Sequence, residues 1–324
     1  AKVVGADRHG DHWVIHIDQG GHALSITAKA VVNAAGPWVA DVLNGTLRQN
    51  ASHGVRLVRG SHIVTKRLFD HDKCYFFQGT DGRIIFAIPY ETDFTLIGTT
   101  DADHDAPDMP PECTTEERDY LINFINAYLG TPITPDDVVW TYSGVRPLYD
   151  DGASSAAAAT RDYVLSLNTD AAPLLSVFGG KITTYRKLAE HALRDLQPHL
   201  PMGDDWTAGV PMPGGDFKVH EFEDYVAQLR AHYTFLSAAW AKRLMRAYGL
   251  NAWDILGDAK TIRDLGRDYG ATLTGAEVSW LVQKEYVQTA DDVLWRRTKL
   301  GLHLTEEQVA KLDADVKRMQ SAIL

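Results

Sequence analysis

A Gly-Gly-Lys sequence lies between a predicted strand at residues 174–178 and a helix predicted over about residues 183–196. The first amides of a helix have no hydrogen-bond partners within it and carry partial positive charge, to which Lys181 adds a full charge. This order of residues favours the binding of an anionic or electron-rich group. The candidate binding residues are Gly180, Lys181, Ile182, Thr183 and Thr184.

Two other interpretations of the same segment have to be weighed. A helix that is simply capped by Thr183 or Thr184 would need the same residue types without binding anything. A P-loop for a nucleoside triphosphate is excluded, because the first glycine of that motif is missing at the required spacing.

A second candidate turn follows the apolar run at residues 30–34, which is typical of a strand buried on both faces. The run ends in Ala35, Gly36 and Pro37. Small residues let a ligand approach the backbone closely, and ligands of open α/β sheets bind beyond the carboxyl ends of strands. Ala35 and Gly36 are therefore candidate cofactor-binding residues. The alternative is an ordinary turn from strand to helix.

Three polar side chains next to predicted strands or turns could act on a substrate. Arg146 and Arg161 each present a planar fork that suits phosphate or carboxylate, although a lone arginine more often forms a surface salt bridge. His62 lies at the start of a predicted strand. Its ordinary pKa near neutrality suits proton transfer, and a hydrogen-bonded structural role is the alternative.

The composition limits the classes of function. The 324 residues are more than one hydrophobic core usually serves, so two domains are expected. A formal net charge of -11 disfavours nucleic acid as a partner. Cys74 and Cys113 form no CxxC pair, so we expect neither a metal site nor a disulfide framework, and a reducing cytosol fits best. No apolar run reaches the roughly 20 residues of a membrane span.

The order of strand and helix signals predicts an α+β or α/β fold in two parts. Residues 1–200 alternate short strands with helices, residues 201–216 are rich in Pro and Gly and form a predicted linker, and residues 217–324 have helical spacing without a clear strand. Further predicted elements are strands at 12–17, 24–27, 61–65, 75–77, 83–88, 94–98 and 163–167, a helix at 114–129 and a surface loop at 152–160.

Taken together, the motifs resemble one enzyme family. They are Asn-Ala-Ala-Gly-Pro-Trp at 33–38, Arg-Gly-Ser-His at 59–62, Gly-Thr-Thr-Asp at 98–101, Gly-Val-Arg-Pro-Leu at 144–148, Phe-Gly-Gly-Lys-Ile-Thr-Thr-Tyr-Arg at 178–186 and the helical stretch 289–298. Their order and spacing resemble the FAD-dependent glycerol-3-phosphate dehydrogenases of the D-amino-acid-oxidase-like flavoprotein group. The resemblance implies a partial Rossmann-like FAD-binding region, an antiparallel substrate-domain sheet and an all-helical C-terminal domain.

One family motif is missing. No GxGxxG occurs in the sequence, and residue 1 is Ala. We therefore expect the chain to be a fragment without the first dinucleotide-binding segment, which leaves open whether the fragment itself binds FAD or is active. An inert, non-catalytic fragment is one alternative, and an amine or amino-acid oxidase of the same flavoprotein group is another.

The resemblance also implies roles for the candidate residues. Arg146 and Arg161 would bind the phosphate and other oxygens of sn-glycerol 3-phosphate, and His62 would accept a proton while Arg146 stabilises the developing oxyanion. Lys181 and the neighbouring amides would face the flavin, and Ala35 and Gly36 would pass near the dinucleotide part of FAD. Electrons would pass to a quinone, with oxygen as the alternative acceptor.

The expected location is the cytoplasm, with peripheral contact at the inner face of the cell membrane. Two short basic clusters could touch anionic lipid, although solvated helix faces explain them better. A homodimer is left open, and nucleic acid is not an expected partner. The clusters are Lys242, Arg243 and Arg246, and Arg296, Arg297 and Lys299.

Overall fold

The structure is a computed structural model that describes residues 1–50, 53–150 and 162–322. The chain divides into two compact units, residues 1–208 and residues 209–324. The boundary between the units falls inside the predicted linker, 201–216.

Among the described residues, the first unit contains twelve strands and three helices. Its strands are β1 (Lys2–Arg8), β2 (Trp13–Gln19), β3 (His22–Ala28), β4 (Val31–Asn33), β5 (Val55–Lys66), β6 (Tyr75–Gln78), β7 (Ile84–Tyr90), β8 (Phe94–Gly98), β9 (Ala102–Asp103), β10 (Val138–Tyr149), β11 (Val164–Asn168) and β12 (Leu174–Phe178). Its helices are α1 (Val39–Asp41), α2 (Thr115–Asn126) and α3 (Tyr185–Leu196). Short 3-10 turns precede α1 and α3 at Gly36–Trp38 and Ile182–Thr184, and a π-helical turn, Val42–Thr46, follows α1.

A small mixed sheet carries both predicted ligand turns. Its order is β11-β12-β4, with β12 parallel to β4 and antiparallel to β11. Successive side chains of β12 pack on opposite faces, as expected for a central strand. Leu175 packs with Ala192 and Leu196 of α3, whereas Leu174 and Phe178 join a core formed with α1 and the β1–β3 meander.

A larger antiparallel sheet forms the rest of this unit. Its strand order is β10-β5-β8-β7-β6, and β9 pairs with β5. Helix α2 covers one face, where Ile63, Ile97 and Leu121 are fully buried. The helix begins with a capping box between Thr114 and Glu117, which satisfies two amides that the helix itself leaves unpaired.

The observed elements differ from the predicted ones at two informative places. β5 spans twelve residues instead of five, because it pairs along its whole length with β10. His62 is therefore in the middle of a strand and not at its start. The helix predicted from Thr183 begins as a 3-10 turn, and the hydroxyl of Thr184 donates to the carbonyl of Lys181 instead of capping an amide. The predicted loop at 152–160 lies outside the described residues.

The second unit is helical around one core. The core buries Leu229, Leu244, Leu273, Leu281 and Val293 almost completely. A hairpin, which the prediction of an all-helical domain did not include, is held by Arg243, whose guanidinium bonds both Thr272 and the buried carboxylate of Glu277. The helices are α4 (Phe222–His232), α5 (Ala238–Tyr248), α6 (Asn251–Leu256), α7 (Gly275–Lys284) and α8 (Glu306–Ser321), and the hairpin strands are β13 (Asp268–Gly270) and β14 (Leu273–Thr274).

None of the helices within the described ranges combines the length and hydrophobicity that crossing a membrane requires. The same part of the chain holds no group of three or more His, Cys, Asp or Glu side chains that could bind a metal ion. The predicted combination of a partial Rossmann-like sheet, an antiparallel sheet and a mainly helical C-terminal region is confirmed.

Candidate active site

The two predicted cofactor turns lie at the same edge of the small sheet. β4 and β12 run parallel, with Asn33 opposite Ser176, so the segments that follow these strands leave the sheet side by side. Gly36, Gly179 and Gly180 all have positive φ, at 56°, 72° and 103°, a conformation that glycine adopts without strain. A side chain at Gly36 would meet nothing within 4 Å. Open space therefore lies beside Gly36, whereas Gly179 and Gly180 are in close contact with Tyr149 and Leu188.

The helix start beyond β12 is also accessible. Lys181 and Thr183 are exposed, and Ile182 is 88% exposed. The amide of Thr184 donates to the carbonyl of Lys181 at 3.0 Å, so the predicted donors to a ligand are now the amides of Ile182 and Thr183. Glycine turns beside a helix N-terminus fit the phosphates or the polar ring edge of a dinucleotide.

His62 lies on the face of the large sheet that α2 does not cover. Its ring stacks on Tyr142, with centroids 4.8 Å apart and planes within 7°, and it lies over Gly98, where a Cβ would come within 2.2 Å of the ring. Burial, helped by the positive charge of Arg146, lowers the pKa of His62 to about 4. At neutral pH the ring is uncharged, so it can accept a proton.

One ring nitrogen of His62 has an unmet hydrogen-bonding requirement. Nδ1 is buried and has no hydrogen-bond partner among the described residues. A buried polar atom without a partner is costly and rare in folded proteins, and a bound ligand or water can complete such a bond.

Arg146 is fixed in place beside His62. Its guanidinium lies directly over Gly60, where a Cβ would be only 2.4 Å from Nη2. Nη1 donates to Oδ1 of Asp101 at 3.0 Å, and Nη2 donates to Oγ1 of Thr99 at 3.2 Å. Because both bonds hold the planar group from one side, the guanidinium is oriented before any substrate arrives.

A row of side chains crosses the large sheet at His62. Strand registers place Phe76 opposite Phe86, Phe86 opposite Gly98, Gly98 opposite His62, and His62 opposite Tyr142. The two phenylalanines are 57% and 37% exposed and contact each other edge to face. The histidine is therefore flanked by aromatic rings on an incompletely covered face.

The mixed sheet and the large sheet meet at strand β10, which carries both Tyr142 and Arg146. β10 contacts β12 and the turn Gly36–Trp38. A Cβ on Gly179 would lie 3.1 Å from the backbone nitrogen of Tyr149, the last residue of β10. The elements that carry the cofactor turns and the elements that carry His62 and Arg146 are thus neighbours within the first unit. Arg161, the second predicted phosphate ligand, lies outside the described residues.

Sequence reasoning missed several residues that shape this site: Gly60, Gly98, Thr99, Asp101 and Tyr142. The stretch 98–101 was recognised as a motif but had no assigned role. The glycines could not be singled out, because their importance follows from which strand lies next to β5. Cross-strand register is a tertiary property that spacing along one strand does not reveal.

Comparison with known proteins agrees with this arrangement. The family model "FAD dependent oxidoreductase" matches residues 1–186, more than half of the chain. The chain belongs to this family. A second model, "C-terminal domain of alpha-glycerophosphate oxidase", matches residues 206–323, so the helical unit also matches a known family model.

Individual relatives cover nearly the whole chain. The aerobic glycerol-3-phosphate dehydrogenase of Escherichia coli (strain K12) is 42% identical over 316 residues, which are 96% of this chain and 63% of that protein. The D-erythritol 1-phosphate dehydrogenase of Brucella abortus (strain 2308) is 41% identical over 312 residues, which are 95% of this chain and 62% of that protein. The chain therefore spans less than two thirds of the length of these curated relatives.

A solved structure shares the architecture. The glycerol-3-phosphate dehydrogenase from Bacillus halodurans, complexed with FAD, aligns with a TM-score of 0.73 and 25% sequence identity. The alignment covers 98% of this chain and 68% of that one. The fold class predicted from the sequence motifs is thereby confirmed.

Proposed function

We propose that the full-length protein catalyses the FAD-dependent oxidation of sn-glycerol 3-phosphate to dihydroxyacetone phosphate. The observation that carries the proposal is the pairing of an uncharged His62 with a pre-oriented Arg146 on an open sheet face beside the two glycine turns. The identities to glycerol-3-phosphate dehydrogenases support the choice of substrate.

The cofactor is assigned to the edge of the small sheet. Ala35 and Gly36 would lie along the dinucleotide part of FAD, and Gly180, Lys181 and the amides of Ile182 and Thr183 would face its ring system. Bound there, FAD supplies the two-electron acceptor for the hydride that leaves the substrate carbon. The charge of Lys181 favours a ring that becomes anionic on reduction.

The substrate is assigned to the open face of the large sheet. Arg146 and Arg161 would bind its phosphate and oxygen atoms. His62 would take the proton of the secondary hydroxyl as the hydride leaves that carbon, so the alcohol becomes a ketone and both electrons go with the hydride. Arg146 stabilises the negative charge that develops on the oxygen, because it is held in place before the reaction.

We also propose a quinone as the electron acceptor and the inner face of the cell membrane as the location; a homodimer stays a prediction. The two basic clusters of the helical unit give this proposal little support. Lys242 pairs with Glu223, and Arg296 pairs with Asp292. Arg297 pairs with Glu285, so much of the positive charge is neutralised within the protein.

A second phosphorylated polyol is a credible substrate. The D-erythritol 1-phosphate dehydrogenase of Brucella abortus is about as similar to this chain as the glycerol-3-phosphate dehydrogenases are. The same chemistry would apply, since that substrate also joins a phosphate to a secondary alcohol. Its longer chain would need more room beyond His62.

Anaerobic reduction of the flavin tests the proposal directly. Full-length protein loaded with FAD is mixed with sn-glycerol 3-phosphate, D-erythritol 1-phosphate, glycerol, sarcosine or D-alanine, and loss of the flavin absorbance is followed. We expect rapid bleaching with sn-glycerol 3-phosphate and slow or no bleaching with glycerol and the amines. Faster bleaching with sarcosine or D-alanine would contradict the proposal, and faster bleaching with D-erythritol 1-phosphate would move it to the longer substrate.

A further inference from the structure

The segment Gly98–Asp101 joins the open face of the large sheet to its covered face. Thr99 and Asp101 bond the guanidinium of Arg146, whereas the hydroxyl of Thr100, between them, donates to Oε1 of Glu117 at 2.7 Å. Thr100 Oγ1 also accepts the amide of Ser61 at 2.9 Å, which ties the segment to β5.

The anchor behind the sheet is rigid. Glu117 on α2 is 9% exposed, and its other oxygen lies 3.0 Å from Nη2 of Arg59. The same carboxylate accepts the amide of Thr114 at the start of the helix. A carboxylate held by this many groups leaves Thr100 little freedom, and the residues on either side of Thr100 share that restriction.

Two features show that Arg146 has little room to move on the open side. The guanidinium occupies the space where any residue other than glycine at position 60 would put its Cβ. Its carboxylate partner, Asp101, is held by the anchored segment, and the side chains of the pair are only 31% and 22% exposed. The position of the cation beside His62 therefore depends on Gly60, Thr99 and Asp101.

We propose that Asp101 is a positioning residue: with Thr99 it holds the Arg146 guanidinium flat over Gly60, facing the substrate site, and the Thr100–Glu117–Arg59 chain fixes the segment that carries it. The inference rests on the proposed function in that Arg146 is the anion ligand. It adds that Asp101 promotes the binding of an anionic substrate because it orients Arg146, even though its own negative charge repels an anion.

The charge of Asp101 and its positioning of Arg146 have opposite effects on anion affinity, so the sign of the measured change distinguishes them. If Asp101 acted only through its charge, then Asp101→Ala would tighten the binding of an anion to Arg146, because a competing negative charge is gone. If it positions Arg146, the same substitution weakens binding, because the long side chain is released toward solvent. The probe is inorganic phosphate, titrated calorimetrically into full-length protein loaded with FAD.

The experiment compares the phosphate affinity of variants at Asp101, Gly60 and Gly144 with that of the unmodified protein. We expect Asp101→Ala to weaken phosphate binding about tenfold and Asp101→Asn, which keeps an oxygen acceptor, to weaken it by less than about threefold. Gly60→Ala pushes the guanidinium away without changing any charge and should match Asp101→Ala. Gly144→Ala is its control, because Gly144 faces Gly60 across the strand pair but a Cβ there meets nothing within 4 Å, so phosphate binding should change little.

Asp103→Asn controls for the loss of an Asp–Arg pair as such. Asp103 pairs with Arg56 on the neighbouring strand at 2.8 Å. Its substitution is expected to leave phosphate binding unchanged. Tighter phosphate binding by Asp101→Ala, equal effects of Gly60→Ala and Gly144→Ala, or no phosphate binding by the unmodified protein would overturn the inference. Failure of the proposed function shows separately, as absence of flavin reduction by glycerol 3-phosphate in the unmodified protein.

Discussion

Two arginine–carboxylate pairs lie on opposite faces of the same sheet, and they differ in what surrounds them. Arg59 and Glu117 meet at 3.0 Å under α2, with side chains 18% and 10% exposed. Arg146 and Asp101 meet at the same distance on the other face, with side chains 31% and 22% exposed. The N–O distances are alike, so the two pairs differ in how far the rest of the molecule covers them.

We infer that the face under α2 serves stability and that the open face serves binding. On the covered face, the carboxylate of Glu117 also bonds Thr100 and the start of α2, so the pair joins a helix to the sheet. On the open face, the guanidinium of Arg146 is next to a histidine whose Nδ1 has no partner in the described part of the chain. We therefore expect substitutions on the covered face to change mainly stability, with an indirect effect on Arg146 through the segment Gly98–Asp101, and those on the open face to change mainly catalysis.

The largest expected effect is on catalysis, from Arg146→Met. Removing the cation should lower kcat/KM for glycerol 3-phosphate by about a thousandfold, because both phosphate binding and stabilisation of the oxyanion are lost. Steady-state kinetics of the full-length protein measure this. Thermal stability should change little, and a variant that keeps more than about a tenth of the activity would contradict the role of Arg146.

Glu117→Ala should have the next largest effect, on stability. It leaves the charge of Arg59 buried without its partner and removes one of the two hydrogen bonds of the capping box, which together should cost about 3 kcal/mol of unfolding free energy. Denaturant unfolding measures the change. Replacing both partners, as Arg59→Met with Glu117→Leu, should recover much of the loss, and a double variant less stable than Glu117→Ala would show that burial of the charge is not the cause.

His62 should make stability depend on pH. Its pKa of about 4 in the folded protein is below the ordinary value of 6.5, so above pH 6.5 the ring is neutral in both states. As the pH falls from 6.5 toward 4, the unfolded chain binds a proton first, and stability should fall by about 2 kcal/mol at pH 5 from this group.

The pH effect is measured as a difference between unmodified protein and His62→Gln, which cancels the carboxylates that titrate in the same window. Unfolding free energies at pH 7 and pH 5 are compared. The loss between these two values should be smaller in His62→Gln, and equal losses would show that the ring is not held in its neutral form.

Ser143→Ala should have the smallest effect. Ser143 shares a 2.8 Å hydrogen bond between its hydroxyl and that of Ser61 on the covered side of the strand pair. Its loss should cost about 1 kcal/mol of unfolding free energy and leave kcat/KM within about a factor of two. A large loss of activity without loss of stability would contradict the assignment of stability to the covered face and catalysis to the open face.

Much of the fold could be predicted, because apolar runs and turn residues along the chain indicate its strands and helices. The strands Phe94–Gly98 and Leu174–Phe178 were predicted with the bounds that the structure shows, since each is an apolar run between turn residues. Helix α2 begins at Thr115, within one residue of the start predicted for the helix at 114–129. The hairpin at Asp268–Thr274 was missed, because its strands are only three and two residues long and its two turn residues, Ala271 and Thr272, are not the glycine or asparagine that usually fills such a turn.

The candidate site could be predicted only in part. His62 and Arg146 were chosen for their chemistry, and the structure places both on one face. The structure does not test their assigned roles, and those of Ala35, Gly36, Gly180, Lys181 and the following amides also stay predictions. Asp101 was not chosen, because an acidic residue after a strand is common and its contact with Arg146 joins residues 45 positions apart.

The order of residue types settles which groups are available: a lysine at a helix start, glycines that permit unusual turns, and a histidine and an arginine next to predicted strands or turns. The tertiary structure alone decided which of them meet. Strand register put Gly98 opposite His62 and Gly144 opposite Gly60, because hydrogen-bonded pairing fixes every neighbour once the first is set. Helix α2 covered one face and left the other open, which is why two similar ion pairs differ in environment.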